Sequence, residues 1–114
     1  MENPKPEQFV NLKSIAKWGF EYQQKLKEFL STTKVDENEK IIQIPWAVFM
    51  ERRIGKKVVP ATLEETILQV ASHSTYHRGQ INSQLREIGG EPPMTDFIAW
   101  VWLGKPKESW ENIF

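Results

Sequence analysis

The chain of 114 residues contains no cysteine. Disulfides and thiolate catalysis are therefore excluded, and any bound metal ion needs nitrogen or oxygen ligands. An excess charge of one sign is also missing, because 15 acidic and 15 basic side chains give a formal net charge of zero. This balance argues against a nucleic-acid-binding protein, which normally carries clustered excess Lys and Arg. The local basic cluster Arg52, Arg53, Lys56 and Lys57 is better explained as a solvated turn.

Long apolar runs are absent as well. No segment approaches the roughly 20 apolar residues that a membrane-spanning helix needs. The first six residues lack the basic start and apolar core of a secretory signal peptide. We therefore expect a cytoplasmic protein without a membrane partner. Residues 1–114 have the length of one small domain, and we expect them to form one.

Three segments have the sequence pattern of helices. Residues 7–30 carry apolar side chains at spacings of three and four, which places them on one helical stripe. A second helix is predicted over residues 62–88, because Thr62 and Glu65 match a capping box and two glycines follow at positions 89 and 90. A short third helix is predicted over residues 97–103, with Thr95 or Asp96 as its cap.

A small β-hairpin is predicted between the first two helices. Residues 40–45 and 46–50 are short runs rich in β-branched and aromatic side chains, and residues 54–57 resemble a turn. Val58 and Val59 would complete the excursion. The expected fold class is therefore mainly all-α, with about three helices and this hairpin.

The two histidines of the chain, His73 and His77, lie four residues apart on the second predicted helix. Residues at i and i+4 share one helix face, so both imidazoles can point at one divalent cation. On a helical wheel His77 falls at the edge of the apolar stripe and His73 just beside it, so we expect the pair to border a core. Thr66, Gln80 and Gln84 are the nearby candidates for hydrogen-bond partners of the ligands.

Other interpretations of these residues remain open on the sequence alone. Two histidines at this spacing can instead be partly buried groups, each satisfied by a hydrogen bond without any metal. Arg78 can pair with an anionic substrate group, although a structural salt bridge is the better interpretation because the wheel places it across the stripe from His73.

A longer pattern surrounds the histidine pair. It comprises H-x-x-x-H-R-G-Q-I at residues 73–81, L-R-x-x-G at 85–89, P-P at 92–93 and D-F-I at 96–98. This pattern resembles the DinB family of bacterial metalloproteins, and the likeness extends over nearly the whole chain. The resemblance implies a four-helix bundle, usually dimeric, with a site for nickel, zinc or a similar divalent ion. It also implies that His73 and His77 are the later two of three histidine ligands.

The resemblance carries expectations about activity. Members of the family include transferases and isomerases that use low-molecular-weight thiols, and hydrolases, so it implies a metal-dependent enzyme acting on a thiol or another small molecule. It assigns no catalytic residue beyond the metal ligands. The family name refers to induction by DNA damage and does not imply DNA binding, in agreement with the neutral charge.

The resemblance further implies that this chain is an N-terminally shortened member, without the usual first helix and the start of the second helix, which brings the first histidine. We therefore expect an incomplete bundle that is completed by homodimerisation, because a two-fold contact can cover the same apolar patch on both subunits. The missing ligand could come from a carboxylate such as Glu21 or Asp96, or from histidines of the partner subunit in a four-nitrogen site. The alternative is a non-catalytic dimeric metal-binding or interaction module that has lost the third ligand.

Overall fold

The computed structural model describes residues 4–112 and is mainly helical, as predicted. The described residues form four α-helices: α1 (Leu12–Thr32), α2 (Ala47–Ile54), α3 (Leu63–Glu87) and α4 (Phe97–Trp102). Two short strands, β1 (Ile41–Ile42) and β2 (Ala61–Thr62), form an antiparallel sheet. No helix in the described range is long and apolar enough to cross a membrane.

The contacts within the chain divide it into two compact units. The first comprises Met1–Thr33 and Val101–Phe114, and therefore contains α1. The second comprises Lys34–Trp100 and contains the sheet, α2 and α3. Both histidines belong to the second unit.

In the first unit, α1 begins at Leu12 and not at residue 7 as the periodicity predicted. Asn11 caps the helix, because its Oδ1 accepts a hydrogen bond of 2.9 Å from the Ser14 backbone N–H. The Asn11 N–H donates in return to Ser14 Oγ at 3.2 Å. This reciprocal cap satisfies two backbone amides and sets the start of the helix, whereas residues 6–8 form only one 3₁₀ turn.

Aromatic side chains hold α1 to the segments beside it in the first unit. The Trp18 ring stacks on Tyr22, with 5.5 Å between ring centroids, and meets Phe9 edge-to-face at 5.9 Å. Phe20 meets Trp110 edge-to-face at 5.4 Å. Trp18 thus fills a half-buried contact.

In the second unit, the predicted hairpin is wrong in its pairing. Ile41 pairs with Thr62 and Ile42 with Ala61, so the second strand is β2 and not residues 58–59. Residues 46–50, expected to be extended, lie largely in α2. The run Met50, Glu51, Arg52, Arg53 has high helix propensity, which outweighs the β-branched and aromatic residues before it.

The junction of β2 and α3 is fixed by both local and distant hydrogen bonds. Thr62 Oγ1 accepts from the Glu65 N–H at 3.2 Å, and Glu65 Oε2 accepts from the Thr62 N–H at 2.8 Å, which confirms the predicted capping box. The Leu63 N–H donates to the Lys40 carbonyl at 2.8 Å. Leu63 is only 5% exposed, so the start of α3 lies in the small core of this unit.

The end of α3 also lies where the sequence predicted it. Gly89 adopts a left-handed φ of 82°, which glycine reaches without steric cost. The Gly90 N–H then donates to the Leu85 carbonyl at 2.8 Å, closing the last turn. A Cβ on Gly90 would lie 3.0 Å from that carbonyl oxygen, so the turn favours glycine at both positions.

Candidate metal centre

The regular geometry of α3 brings His73 and His77 together. Their Nε2 atoms are 2.9 Å apart, and their ring centroids are separated by 4.4 Å with the planes nearly perpendicular. Residues four apart lie one above the other on a helix, so this proximity follows from the spacing once the helix forms. The structure therefore brings together the two residues that the sequence selected.

A chain of hydrogen bonds assigns the protons of the pair. Gln80 Nε2 donates to Tyr76 Oη at 3.2 Å, which leaves Gln80 Oε1 as the acceptor that faces His77 Nδ1 at 2.8 Å. With the Gln80 amide in this orientation, His77 Nδ1 is assigned as the donor and His77 Nε2 as the nitrogen with the lone pair. In the neutral pair, His73 Nε2–H then donates to that lone pair.

The donor set fits a divalent ion of the zinc or nickel type as half of a site. Metal–imidazole bonds of about 2.0–2.1 Å place two ligand nitrogens about 2.9 Å apart at a right angle and about 3.3 Å apart in a tetrahedron. The observed Nε2 separation of 2.9 Å is at the short end of that range. Both nitrogens could serve as ligands if His73 carried its proton on Nδ1 instead of Nε2.

In the described part of the chain, the histidine pair does not border a core, contrary to the prediction from the helical wheel. Both histidines are exposed, as are three apolar neighbours on α3: Ile67 is 37% exposed, Val70 45% and Ile81 56%. The helical wheel placed these residues correctly relative to one another. It could not indicate whether the described part of a single chain would supply a surface to cover them.

Within the second unit, a third ligand is not supplied. No group of three His, Cys, Asp or Glu side chains in residues 34–100 is arranged to hold a metal ion. Asp96, one of the two carboxylates proposed from the sequence, directly precedes α4, and its backbone carbonyl accepts from the Trp100 N–H at 3.2 Å.

Of the three candidate hydrogen-bond partners, only Gln80 contacts a histidine. Thr66 Oγ1 donates to the Thr62 carbonyl at 2.8 Å, and the described contacts give the Gln84 side chain no hydrogen bond. Tyr76 was missed, although its i, i+4 spacing to Gln80 is the signal that could have found it.

Arg78 forms a hydrogen bond with its own helix in the described part of the chain. Its Nη2 donates to Thr75 Oγ1 at 2.9 Å, and this hydroxyl donates in turn to the Ala71 carbonyl at 3.0 Å. The guanidinium is thus held by its own helix through a hydrogen bond, and the salt bridge predicted from the sequence is not formed there.

Comparison with known proteins identifies the family. The sequence model of the DinB family matches residues 7–108, which is most of the chain. Protein DinB of Bacillus subtilis (strain 168) is 31% identical over 52 residues, a match that covers 46% of this chain and 30% of that relative's length. No solved structure matches significantly. The chain belongs to the DinB family.

Proposed function

We propose that this protein binds a divalent metal ion through Nε2 of His73 and Nε2 of His77. The observation that carries the proposal is the 2.9 Å separation of these atoms together with the Gln80 contact on His77 Nδ1. Histidines that bind metals almost always donate their other ring N–H to an oxygen acceptor, which fixes the tautomer and raises ligand basicity. His77 already has this partner.

Zinc and nickel are the proposed ions. The chain has no cysteine, and imidazole suits these ions better than the oxygen-preferring magnesium and calcium. When bound, such an ion polarises a substrate oxygen or favours deprotonation of a bound water or thiol. The protein's own contribution is to hold two imidazoles in one tautomeric state at an exposed position, where a small molecule can reach them.

A homodimer is the proposed way to complete the site. Two imidazoles bind these ions more weakly than three, and catalytic zinc sites usually have three protein ligands. A two-fold axis beside α3 would add a second histidine pair, giving four nitrogens around one ion. Four protein ligands fill the coordination typical of zinc, so with this arrangement the enzyme proposal needs an ion, such as nickel, that accepts a further ligand. The exposed Ile67, Val70 and Ile81 support this arrangement, because an isologous contact would cover the same apolar residues on both subunits.

On this basis we propose a metal-dependent enzyme of the thiol transferase, isomerase or hydrolase type, with a low-molecular-weight thiol as the first substrate class to assay. The alternative is a non-catalytic dimeric metal-binding or interaction module. It is favoured by the lack of a third ligand among the described residues. A metal-loaded dimer that turns over no thiol substrate would support the alternative.

Native mass spectrometry of the untagged chain with Ni²⁺ or Zn²⁺ tests the proposal. We expect a dimer that carries one ion per two chains, and we expect His77→Ala to lose the ion. One ion bound per monomer would be consistent with His73 and His77 as ligands, but it would contradict a site shared between two subunits. Equal metal loading of the wild type and His77→Ala would contradict the proposal itself.

Sedimentation velocity separately tests the proposed dimer surface. Ile81 lies one turn beyond His77 and is 56% exposed, so Ile81→Lys would place a charge in the contact. We expect this variant to shift the protein toward monomer. Ser83→Lys adds the same charge on the opposite side of the helix, about 200° away, and should leave the dimer intact. A monomeric wild type, or equal effects of both variants, would overturn the dimer.

A further inference from the structure

A cleft separate from the histidine pair lies in the second unit. It has a volume of about 530 Å³ and is formed by β1, α2 and the segment that leads into β2. Nine of its 11 lining residues are apolar, with Ile42, Val48 and Val59 among them. Volumes of roughly 300–1,000 Å³ with a mainly apolar lining are typical of small-molecule sites.

Among residues 4–112, Glu51 is the one ionisable residue that lines this cleft. It is half-buried, and its Oε1 accepts a hydrogen bond of 3.3 Å from the Val58 N–H, which ties α2 to the far wall. The second carboxylate oxygen, Oε2, has no hydrogen bond to any of the residues that the structure describes. The cleft thus combines an apolar surface with one fixed negative charge.

The remaining lining disfavours an anionic ligand. Pro45 and Pro60 form part of the wall and have no backbone N–H to donate. The neighbouring basic side chains are exposed and do not line the cleft; they are Arg52, Arg53, Lys56 and Lys57. A carboxylate or phosphate would therefore meet Glu51 without a compensating cation.

We propose that this cleft binds a small molecule that joins an apolar body to a protonated amine. The apolar body would cover the aliphatic lining, and the ammonium would donate to Glu51 Oε2 in a charge-assisted hydrogen bond. The cleft shares no residue with the histidine pair and its hydrogen-bond partners, so this proposal can be tested independently of metal binding.

A matched set of three ligands tests the proposal by titration of the amide spectrum of the full chain. Phenethylamine, phenethyl alcohol and hydrocinnamate share one aromatic body and carry a cationic, a neutral and an anionic group. We expect saturable shifts at the cleft amides of Val48, Val59 and Ala61, with phenethylamine binding most tightly. Equal binding of all three ligands, tighter binding of hydrocinnamate, or no saturable shift at these amides would overturn it.

Two variants in the cleft and one control outside it test where the ligand binds. Glu51→Gln keeps an oxygen to accept from the Val58 N–H but removes the charge, and we expect phenethylamine to bind roughly three- to tenfold more weakly, the range for one partly exposed charge pair. Glu39→Gln removes an equal charge from an exposed position near β1 and should change nothing. Ala47→Leu fills the cleft and should abolish binding of the amine. Unchanged affinity in both Glu51→Gln and Ala47→Leu would overturn the proposal.

Discussion

The start and the middle of α3 are held in different ways. At its start, backbone amides of Leu63 and Glu64 donate to carbonyls of Lys40 and Asn38, more than 20 residues away in sequence, and Leu63 is 5% exposed. In its middle, the side chains of His73, His77, Tyr76 and Gln80 are exposed, and their hydrogen bonds within the described part of the chain join residues three or four positions apart. The start is therefore fixed by tertiary structure, whereas the hydrogen bonds around His73 and His77 require only an intact helix.

This difference separates two parts of the metal site. The two imidazoles are arranged locally, so their geometry does not depend on what covers the helix. A third or fourth ligand has to come from outside this part of α3. The same holds for the water-excluding apolar surroundings that strengthen a metal site. Assembly should therefore change the affinity for the ion without rearranging the pair.

The largest expected effect is the loss of one ligand. His73→Ala leaves a single imidazole, so we expect its affinity for Ni²⁺ to fall by more than the roughly 100-fold that loss of an outer hydrogen-bond partner can cost. Isothermal titration calorimetry measures it. Ser72→Ala, an exposed neighbour on the same helix, is the control and should bind as the wild type does. A smaller loss in His73→Ala would show that His73 is not a ligand.

The second-largest expected effect is the loss of the hydrogen bond that fixes the tautomer of His77. Gln80→Ala removes the acceptor on His77 Nδ1 at 2.8 Å, so Nε2 is no longer fixed as the free nitrogen. We expect Ni²⁺ affinity to fall by about 10–100-fold. Gln84→Ala, one turn further along the helix, removes an exposed amide without such a contact and should bind normally. Equal affinities of the two variants would show that Gln80 does not position His77.

A change at the start of α3 should lower the stability of the protein without changing its affinity for Ni²⁺. Thr62→Ala removes the N-cap acceptor for the Glu65 N–H, which should lower the free energy of unfolding by about 1 kcal/mol. Thr62→Ser keeps the acceptor and should retain most of the stability. Chemical denaturation measures both variants. Ni²⁺ affinity of the folded Thr62→Ala protein should be unchanged, and a loss comparable to that of Gln80→Ala would break the distinction between the two parts of α3.

The smallest expected effect is that of Tyr76. Tyr76→Phe removes the hydroxyl that accepts from Gln80 Nε2 at 3.2 Å, freeing the amide to rotate. Because this hydrogen bond is exposed, we expect Ni²⁺ affinity to fall by less than about fivefold. Tyr22→Phe in α1 serves as the control in the same calorimetric titration. A loss as large as that of Gln80→Ala would mean that Tyr76 contacts the ion itself.

Sequence reasoning succeeded where structure depends on neighbouring residues. The cap at Thr62, the glycine stop after α3 and the histidine pair all follow from spacings of four residues or fewer, and all were predicted. The register of β1 with β2 joins positions about 20 residues apart, and it was missed together with α2. The exposure of His73 and His77 was also missed, because periodicity indicates a shared face but not what packs against it.

The most direct test of the proposed metal centre is a long-range proton–nitrogen correlation spectrum of the imidazole rings during titration with Zn²⁺. We expect Nε2 of both His73 and His77 to change to the bound state together, while His77 Nδ1 stays protonated and His73 Nδ1 becomes protonated. If neither Nε2 responds, or if Nδ1 of either ring becomes the ligand, the proposed metal centre is contradicted.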